Sequence, residues 1–293
     1  MIYLTKDDWN KLILTKLLDN SSFIEQFTEL YKLYSALHLF TRKIYTYLTQ
    51  HQQTNLFVTA MSIFHRYRIC SYFSLNKYSS EELYIILGAC LFIGQKVTNI
   101  LGIKIDHLSK FIRQLILKKE PNKKIEINEI NNNLKEREIE ILTIIGFNIN
   151  VDFPFPFLNK IKTILSNSNI NSENFITLLI YFIKDSFILP LSLYYTPNII
   201  TISCVVILKQ KYNIQHIKLK ELISLSEYNL DEGEIKECSS LIQKLEVAIN
   251  EKKNSQINIS KITSNINKNN TNTVNSEEAS VTKIIPSIKM NID

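Results

Sequence analysis

Over residues 23–50 apolar side chains recur every three or four positions, at Phe27, Leu30, Tyr31, Tyr34, Leu37 and Ile44, a spacing that predicts an amphipathic helix. A second such stripe, Phe57, Ala60, Met61, Phe64 and Tyr67, predicts a helix over 55–71 with Asn55 as its N-cap. The third segment differs. Ser79 and Ser80 followed by Glu81 and Glu82 supply cap oxygens and carboxylates for a helix start, and from Leu83 to Val97 the chain is apolar almost all round. A helix without a polar face has to be enclosed by others, so this is the expected central helix, with Gly88, Ala89 and Gly94 as points of close approach. Helices are further expected over 106–118 and 128–145, the latter stopped by Gly146.

After the joint Asp152-Phe153-Pro154-Phe155-Pro156 the count restarts, with expected helices over 155–165, 173–189, 197–212, 217–225 and 231–250. Residues 83–97 overlay on 198–212, placing Gln95-Lys96 over Gln210-Lys211 and Gly88-Ala89 over Ser203-Cys204. Thr196 and Pro197 open the second copy as cap and first helical residue. Five helices followed by five read as an internal duplication, although the identity is thin enough that chance competes with it.

Composition narrows the classes. The chain has 293 residues, 45% of them hydrophobic, with only five Gly and six Pro, as expected of a helical globular protein. The net charge is +6, but only five of the 34 basic residues are Arg, and Ile, Asn and Lys are all abundant. An AT-rich genome produces that bias without functional demand, and the lysines sit beside acids, as in Lys118-Lys119-Glu120, so a solvated face explains them better than a phosphate-tracking stripe. The apolar runs fall short of a membrane span and no secretory leader is read at the start, so a soluble intracellular protein is expected.

The sequence holds no Gly-rich phosphate loop, no nucleophile elbow and no paired-His metal motif. His38, His51, His65, His107 and His216 are isolated, and Cys70, Cys90, Cys204 and Cys238 form no C-x-x-C pair, which suits surface or packing histidines and reduced thiols. No catalytic residue, cofactor site or metal site is expected. Such a helical body is expected to work by presenting a surface to a partner.

The string Ala60-Met61-Ser62-Ile63-Phe64-His65-Arg66-Tyr67, followed by Gly88-Ala89-Cys90-Leu91-Phe92-Ile93-Gly94-Gln95-Lys96-Val97, resembles helices two and three of the cyclin box. Ile2-Tyr3-Leu4-Thr5-Lys6-Asp7-Asp8-Trp9, then Glu138 with Leu142, Gly146, Phe147, Ile149, Asp152 and Pro154, then Lys184-Asp185-Ser186 and Leu191 to Pro197, are similar to the transcriptional cyclins T, K and L. The resemblance runs in order over residues 2–250. It implies an all-α fold of two tandem five-helix cyclin boxes: an extension over 1–22, a first box over 23–150, a second box-like domain over 151–251, and a disordered Asn/Ser/Lys-rich tail over 252–293.

The function implied is that of a nuclear regulatory subunit, not itself an enzyme, that binds and activates a cyclin-dependent protein kinase acting on the RNA polymerase II tail or on RNA-processing factors. The alternatives are a cyclin-fold nucleic-acid-binding transcription factor and a non-activating scaffold. Lys96 and Glu138 match the family's paired lysine and glutamate, and Val97, Leu142, Phe147 and Ile149 match apolar kinase contacts. On the residues alone, Lys96 equally suits a helix C-terminus and Glu138 one of several exposed acids near Arg137 and Glu140, while Leu142 shares a stripe with Ile145. Phe147 is the expected anchor. Thr98 and Asn99 depart from the family's two glutamates, which implies a divergent partner or weaker activation.

Overall fold

The computed structural model describes residues 20–71, 78–100, 103–151, 153, 155–166, 172–214, 218–226 and 230–270. The expectations resting on Ile2–Trp9, on Asp152 and Pro154, and on the tail over 271–293 lie outside the described residues. Among the described residues there are ten α-helices: α1 (Asn20–Ile44), α2 (Gln50–Cys70), α3 (Ser80–Val97), α4 (Ile105–Lys119), α5 (Ile127–Ile144), α6 (Phe155–Ser166), α7 (Ser172–Ser186), α8 (Pro197–Lys211), α9 (Leu219–Ser224) and α10 (Glu232–Asn270). A 3₁₀ turn, Leu191–Leu193, precedes α8. Contacts divide the chain into one unit over Met1–Ala248 and a second over Ile249–Asp293.

Within the first unit α3 is the hub of the first half, packed on α1, α2, α4 and α5. Everything from Ile85 to Leu91 and from Ile93 to Gln95 is buried, as the missing polar face required. Gly88 is the close-approach point: a Cβ there would sit 2.7 Å from Ile112 Cδ1 of α4 and 3.1 Å from Leu134 Cδ2 of α5. The helix starts at Ser79, whose hydroxyl accepts from the Glu82 N–H while the Glu82 carboxylate accepts from the Ser79 N–H, a reciprocal capping box.

The start of α2 corrects the expectation of a cap at Asn55 and of a first helix reaching residue 50. The chain leaves the helix after Ile44, and Thr49 and Gln52 form a second capping box, so α2 begins a turn earlier than expected. Thr-x-x-Gln satisfies two N–H groups reciprocally, which a lone Asn cannot do. The expectation of a single apolar stripe on α2 is also corrected: Val58, Thr59, Ser62 and His65 are as buried as Phe57 and Phe64. One face of α2 packs on α1 and α3, and the other meets the second half, where His65 Nε2 lies 2.9 Å from the Phe187 carbonyl and Ser62 Oγ lies 3.4 Å from Ser192 Oγ.

Two more bonds from α1 tie the halves together. Tyr34 donates its hydroxyl to Asp185, and Lys184 Nζ lies 2.9 Å from His38 Nδ1 and 4.9 Å from the centre of the Phe57 ring. Lys184 is buried between these groups, and burial lowers its pKa to about 8. Burial first, and then the charges of Lys184 and Arg42, hold His38 down to about 4, so near neutral pH the imidazole is uncharged.

The second half repeats the first. α8, capped by Thr196 with Pro197 at its start, is buried from Ile199 to Val205 and at Ile207 and Leu208, and it packs on α6, α7, α9 and the 3₁₀ turn. Ser203 of α8 donates to the Ile235 carbonyl of α10. α10 continues to Asn270. After Gly233 no Gly or Pro interrupts the chain before Pro286, so nothing in that stretch forces a stop.

Candidate protein-docking site

α3 and α5 present their C-terminal ends side by side. α3 closes through a Schellman arrangement: Ile100 N–H donates to Gln95 O at 3.0 Å, Asn99 N–H to Lys96 O at 3.3 Å, and Asn99 takes the left-handed conformation at φ 53°. Asn tolerates that conformation better than Glu, and the Thr98 hydroxyl binds back to Gly94 O at 2.8 Å. Thr98 and Asn99 thus act as a helix stop immediately after Lys96 and Val97.

Lys96 Nζ lies 2.5 Å from Glu138 Oε1 and 4.4 Å from the centre of the Phe92 ring, and its side chain is 54% exposed against 13% for Glu138. The pair joins α3 to α5, and Glu138 is separated from the other acids: Glu140 accepts from Tyr67 at 2.7 Å and from Arg137 at 2.6 Å on another face. With the lysine half in water, the pair by itself contributes only about 0–1 kcal/mol. It becomes a strong contact only when a partner covers it.

α5 ends the same way, with Gly146 N–H on Thr143 O at 3.1 Å and Phe147 N–H on Leu142 O at 2.8 Å. Gly146 is left-handed at φ 61°, as its expected stop requires, and Phe147 is held in the same region at φ 57°. For a bulky side chain that conformation costs about 1–3 kcal/mol. The strain holds a Phe ring 68% exposed. The turn is fastened from below by Arg66 of α2, whose Nη1 donates to Asn148 O at 2.7 Å.

The remaining expected contacts grade outward. Val97, Leu142 and Ile149 are half-buried, so Leu142 serves the core and still shows an edge. Two aliphatic residues that the sequence pattern did not single out join them, Ile139 at 66% exposed and Ile144 at 36%. The signal for both was their departure from the buried stripe Ile130, Leu134, Ile141, Ile145, since an apolar residue off the stripe has no core to enter.

The second half builds the same ion pair from the equivalent helices, Lys211 of α8 with Glu246 of α10, followed by Val247 at 58% exposed. α8 also closes on a left-handed Asn, Asn213 at φ 51°, with Ile214 N–H on Lys209 O at 2.9 Å. Superposing the two helix stops aligns Asn99 with Asn213 and therefore Lys96 with Gln210. The expected overlay of Lys96 on Lys211 is one residue out at this end, and Lys211 reaches its glutamate from the next position. Among the described residues no group of three or more His, Cys, Asp or Glu side chains is placed to hold a metal ion, and no helix is long and apolar enough to cross a membrane. All four cysteines are free thiols.

No protein-family model matches the sequence, and no curated protein does. Among solved structures, the chain is similar to a viral cyclin from herpesvirus saimiri, with 17% identity and a TM-score of 0.50 over 81% of this chain and 95% of that one. A chain in the structure of the CAK complex from Chaetomium thermophilum bound to ATP-γ-S also matches, with 15% identity and a TM-score of 0.43, over 74% of this chain and 63% of that one. The all-helical arrangement of five helices followed by five, and its superposition on the viral cyclin, establish the cyclin fold for this chain.

Proposed function

We propose that this protein is a non-catalytic regulatory subunit that binds and activates a cyclin-dependent protein kinase through the ends of α3 and α5. The observation that carries this reading is a half-exposed Lys96–Glu138 pair joining α3 to α5, together with a strained, exposed Phe147 in the turn that ends α5, in a cyclin fold. A folded chain gains nothing internally from holding a Phe in a left-handed turn in water, whereas a partner pocket that receives the ring does gain. Val97, Leu142 and Ile149 form the apolar surround, with Ile139 and Ile144 added to it. Activation is by population shift: the docked subunit favours the kinase conformation in which its catalytic lysine and glutamate are paired, and all phosphoryl-transfer chemistry stays in the kinase.

The ordered resemblance to cyclins T, K and L supports a nuclear role in RNA polymerase II transcription or RNA processing, with the polymerase tail as substrate of the complex. Direct nucleic-acid binding is not part of this reading. Co-purification of the full chain with a panel of cyclin-dependent kinases, followed by assay on a polymerase tail peptide, tests it. A bound kinase whose rate on that peptide rises supports it. Binding without rate enhancement identifies a scaffold, and retention of no kinase overturns the reading.

A further inference from the structure

His65, Arg66 and Tyr67 follow one another on α2, and an α-helix turns by about 100° per residue, so three neighbours in sequence face three directions. Each ties α2 to a different place. His65 Nε2 lies 2.9 Å from the Phe187 carbonyl of the second half, the Tyr67 hydroxyl donates to Glu140 of α5 at 2.7 Å, and Arg66 Nη1 donates to Asn148 O at 2.7 Å. The same nitrogen is 3.4 Å from Asn148 Oδ1, and Arg66 has interactions beyond Asn148, so the guanidinium is held rather than swinging in solvent.

Arg66 grips the segment that carries the strain. Gly146 and Phe147 are both left-handed, at φ 61° and 57°, and the Phe147 ring is exposed. Four backbone bonds shape this turn: Gly146 N–H on Thr143 O, Phe147 N–H on Leu142 O, Asn148 N–H on Ile145 O at 3.2 Å, and Ile149 N–H on Phe147 O at 2.9 Å. All four close within residues 142–149, so they set the local curl and attach it to α5 alone. Among the described residues, Arg66 is the one side chain from another element that hydrogen-bonds the backbone of 146–149. A cleft of about 250 Å3, bounded by Arg66, Cys70, Ile145, Asn148, Ser192 and Leu193, opens beside the turn, so packing contributes little to the attachment there. A charge-assisted bond to a carbonyl is among the stronger hydrogen bonds, comparable in size with the strain it opposes. Without it, the backbone around Phe147 is free to relax to a negative φ that points the ring elsewhere.

We infer that Arg66 is a positioning residue for the proposed kinase contact: from α2 it clamps the backbone after Phe147 and keeps the ring presented to the partner. The inference rests on the reading of Phe147 as a kinase anchor, and Arg66 acts through the turn rather than through a contact of its own.

A double-mutant cycle on the full chain tests this, with the kinase that co-purifies with the wild type as the probe. Arg66→Met is expected to weaken binding about tenfold in the wild-type background and by less than about twofold in Phe147→Ala, because a misplaced ring matters only where there is a ring. A single nitrogen makes the contact, so Arg66→Lys, which keeps a charged donor, should recover most of the loss. In the free chain, hydrogen exchange at the Asn148 and Ile149 amides should speed up about tenfold or more in Arg66→Met, while the Ile130 and Ile141 amides of α5 stay as they are. Where Arg66→Met does not fold, Arg66→Gln takes its place in the cycle and in the exchange measurement. No co-purifying kinase, or no cost from Phe147→Ala alone, ends the kinase reading and this inference with it. If Phe147→Ala costs affinity while the change at Arg66 costs none, costs as much without the ring as with it, or leaves exchange at Asn148 and Ile149 unchanged, the positioning role is overturned and the kinase reading stands.

Discussion

The two halves of this chain use the same parts to different ends. Both enclose an apolar helix, α3 or α8, that starts on a Ser or Thr cap and stops on a left-handed Asn, and both end that helix with a lysine bridged to a glutamate two helices later. They differ in the chain beyond that glutamate. In the first half Gly146 ends α5 eight residues after Glu138 and turns Phe147 outward, whereas in the second α10 runs on past Glu246 and Val247 to Asn270. The difference teaches that the ion pair belongs to the architecture of either half, and that the strained turn with its exposed Phe is what the first half has and the second lacks.

The largest effect expected from breaking this contrast is on kinase binding. Lys96→Ala or Glu138→Ala removes one member of a pair that the partner covers, and affinity should fall by about 3–5 kcal/mol in a titration against the cognate kinase. The corresponding changes in the second half, Lys211→Ala and Glu246→Ala, should leave that affinity within about twofold, since that pair is outside the proposed docking face, and should change folding stability by only about 0–1 kcal/mol. Phe147→Ala comes next, weakening kinase binding by about 2 kcal/mol or more as an anchor residue does. Phe147→Gly should weaken binding similarly while raising the thermal midpoint of the free chain, because glycine relieves the left-handed strain.

Gly88→Ala tests the hub. The added methyl meets α4 and α5 side chains at once, and unfolding stability should drop by about 1–3 kcal/mol in a denaturant titration. A further expected effect is on pH dependence at the junction of the halves. His38 is held to about 4 and buried His65 to about 3, both below the unfolded value, so the unfolded chain binds more protons in mild acid. Stability is therefore fully present above about pH 6.5 and declines as the pH falls toward 4. Lys184, lowered to about 8, acts in the same direction at the alkaline end: its desolvation cost is relieved as the pH rises from 8 toward 10.5, so its contribution to stability increases there. Denaturant midpoints measured across both windows check the signs, and His38→Gln should flatten the acid limb.

Much of the fold was legible because the strongest signals are local. The apolar run from Leu83 to Val97 named its own surroundings, the Ser79–Glu82 box marked its start, and Gly146 marked the end of α5. The cap of α2 was misplaced because Thr49 and Gln52 lie before the apolar stripe begins, in a stretch where the first helix was expected to continue. The burial of His65 and Ser62 depends on Phe187 and Ser192, more than a hundred residues away, and no periodicity carries that information.

The family resemblance singled out Lys96, Glu138 and Phe147, and the structure pairs the first two and exposes the third, but the mechanics around them were not in the resemblance. Resemblance identified Lys184-Asp185 as a matching string, whereas the structure gives those residues the work of joining the halves through His38 and Tyr34. It marked Thr98-Asn99 as a departure, and the structure makes them the stop that ends α3 immediately after Lys96 and Val97. Ile139 and Ile144 are marked in the sequence only by their departure from the stripe Ile130, Leu134, Ile141 and Ile145, whose burial the structure supplies.

The central claim, that the α3–α5 face of the first half is the kinase-docking surface, is tested most directly by measuring the affinity of one activated kinase for four full-length chains: wild type, Lys96→Ala, Phe147→Ala and Lys211→Ala. The account predicts losses of about a hundredfold or more for Lys96→Ala and about thirtyfold or more for Phe147→Ala, with Lys211→Ala indistinguishable from wild type. Equal affinities for all four chains, or a loss confined to Lys211→Ala, would contradict it.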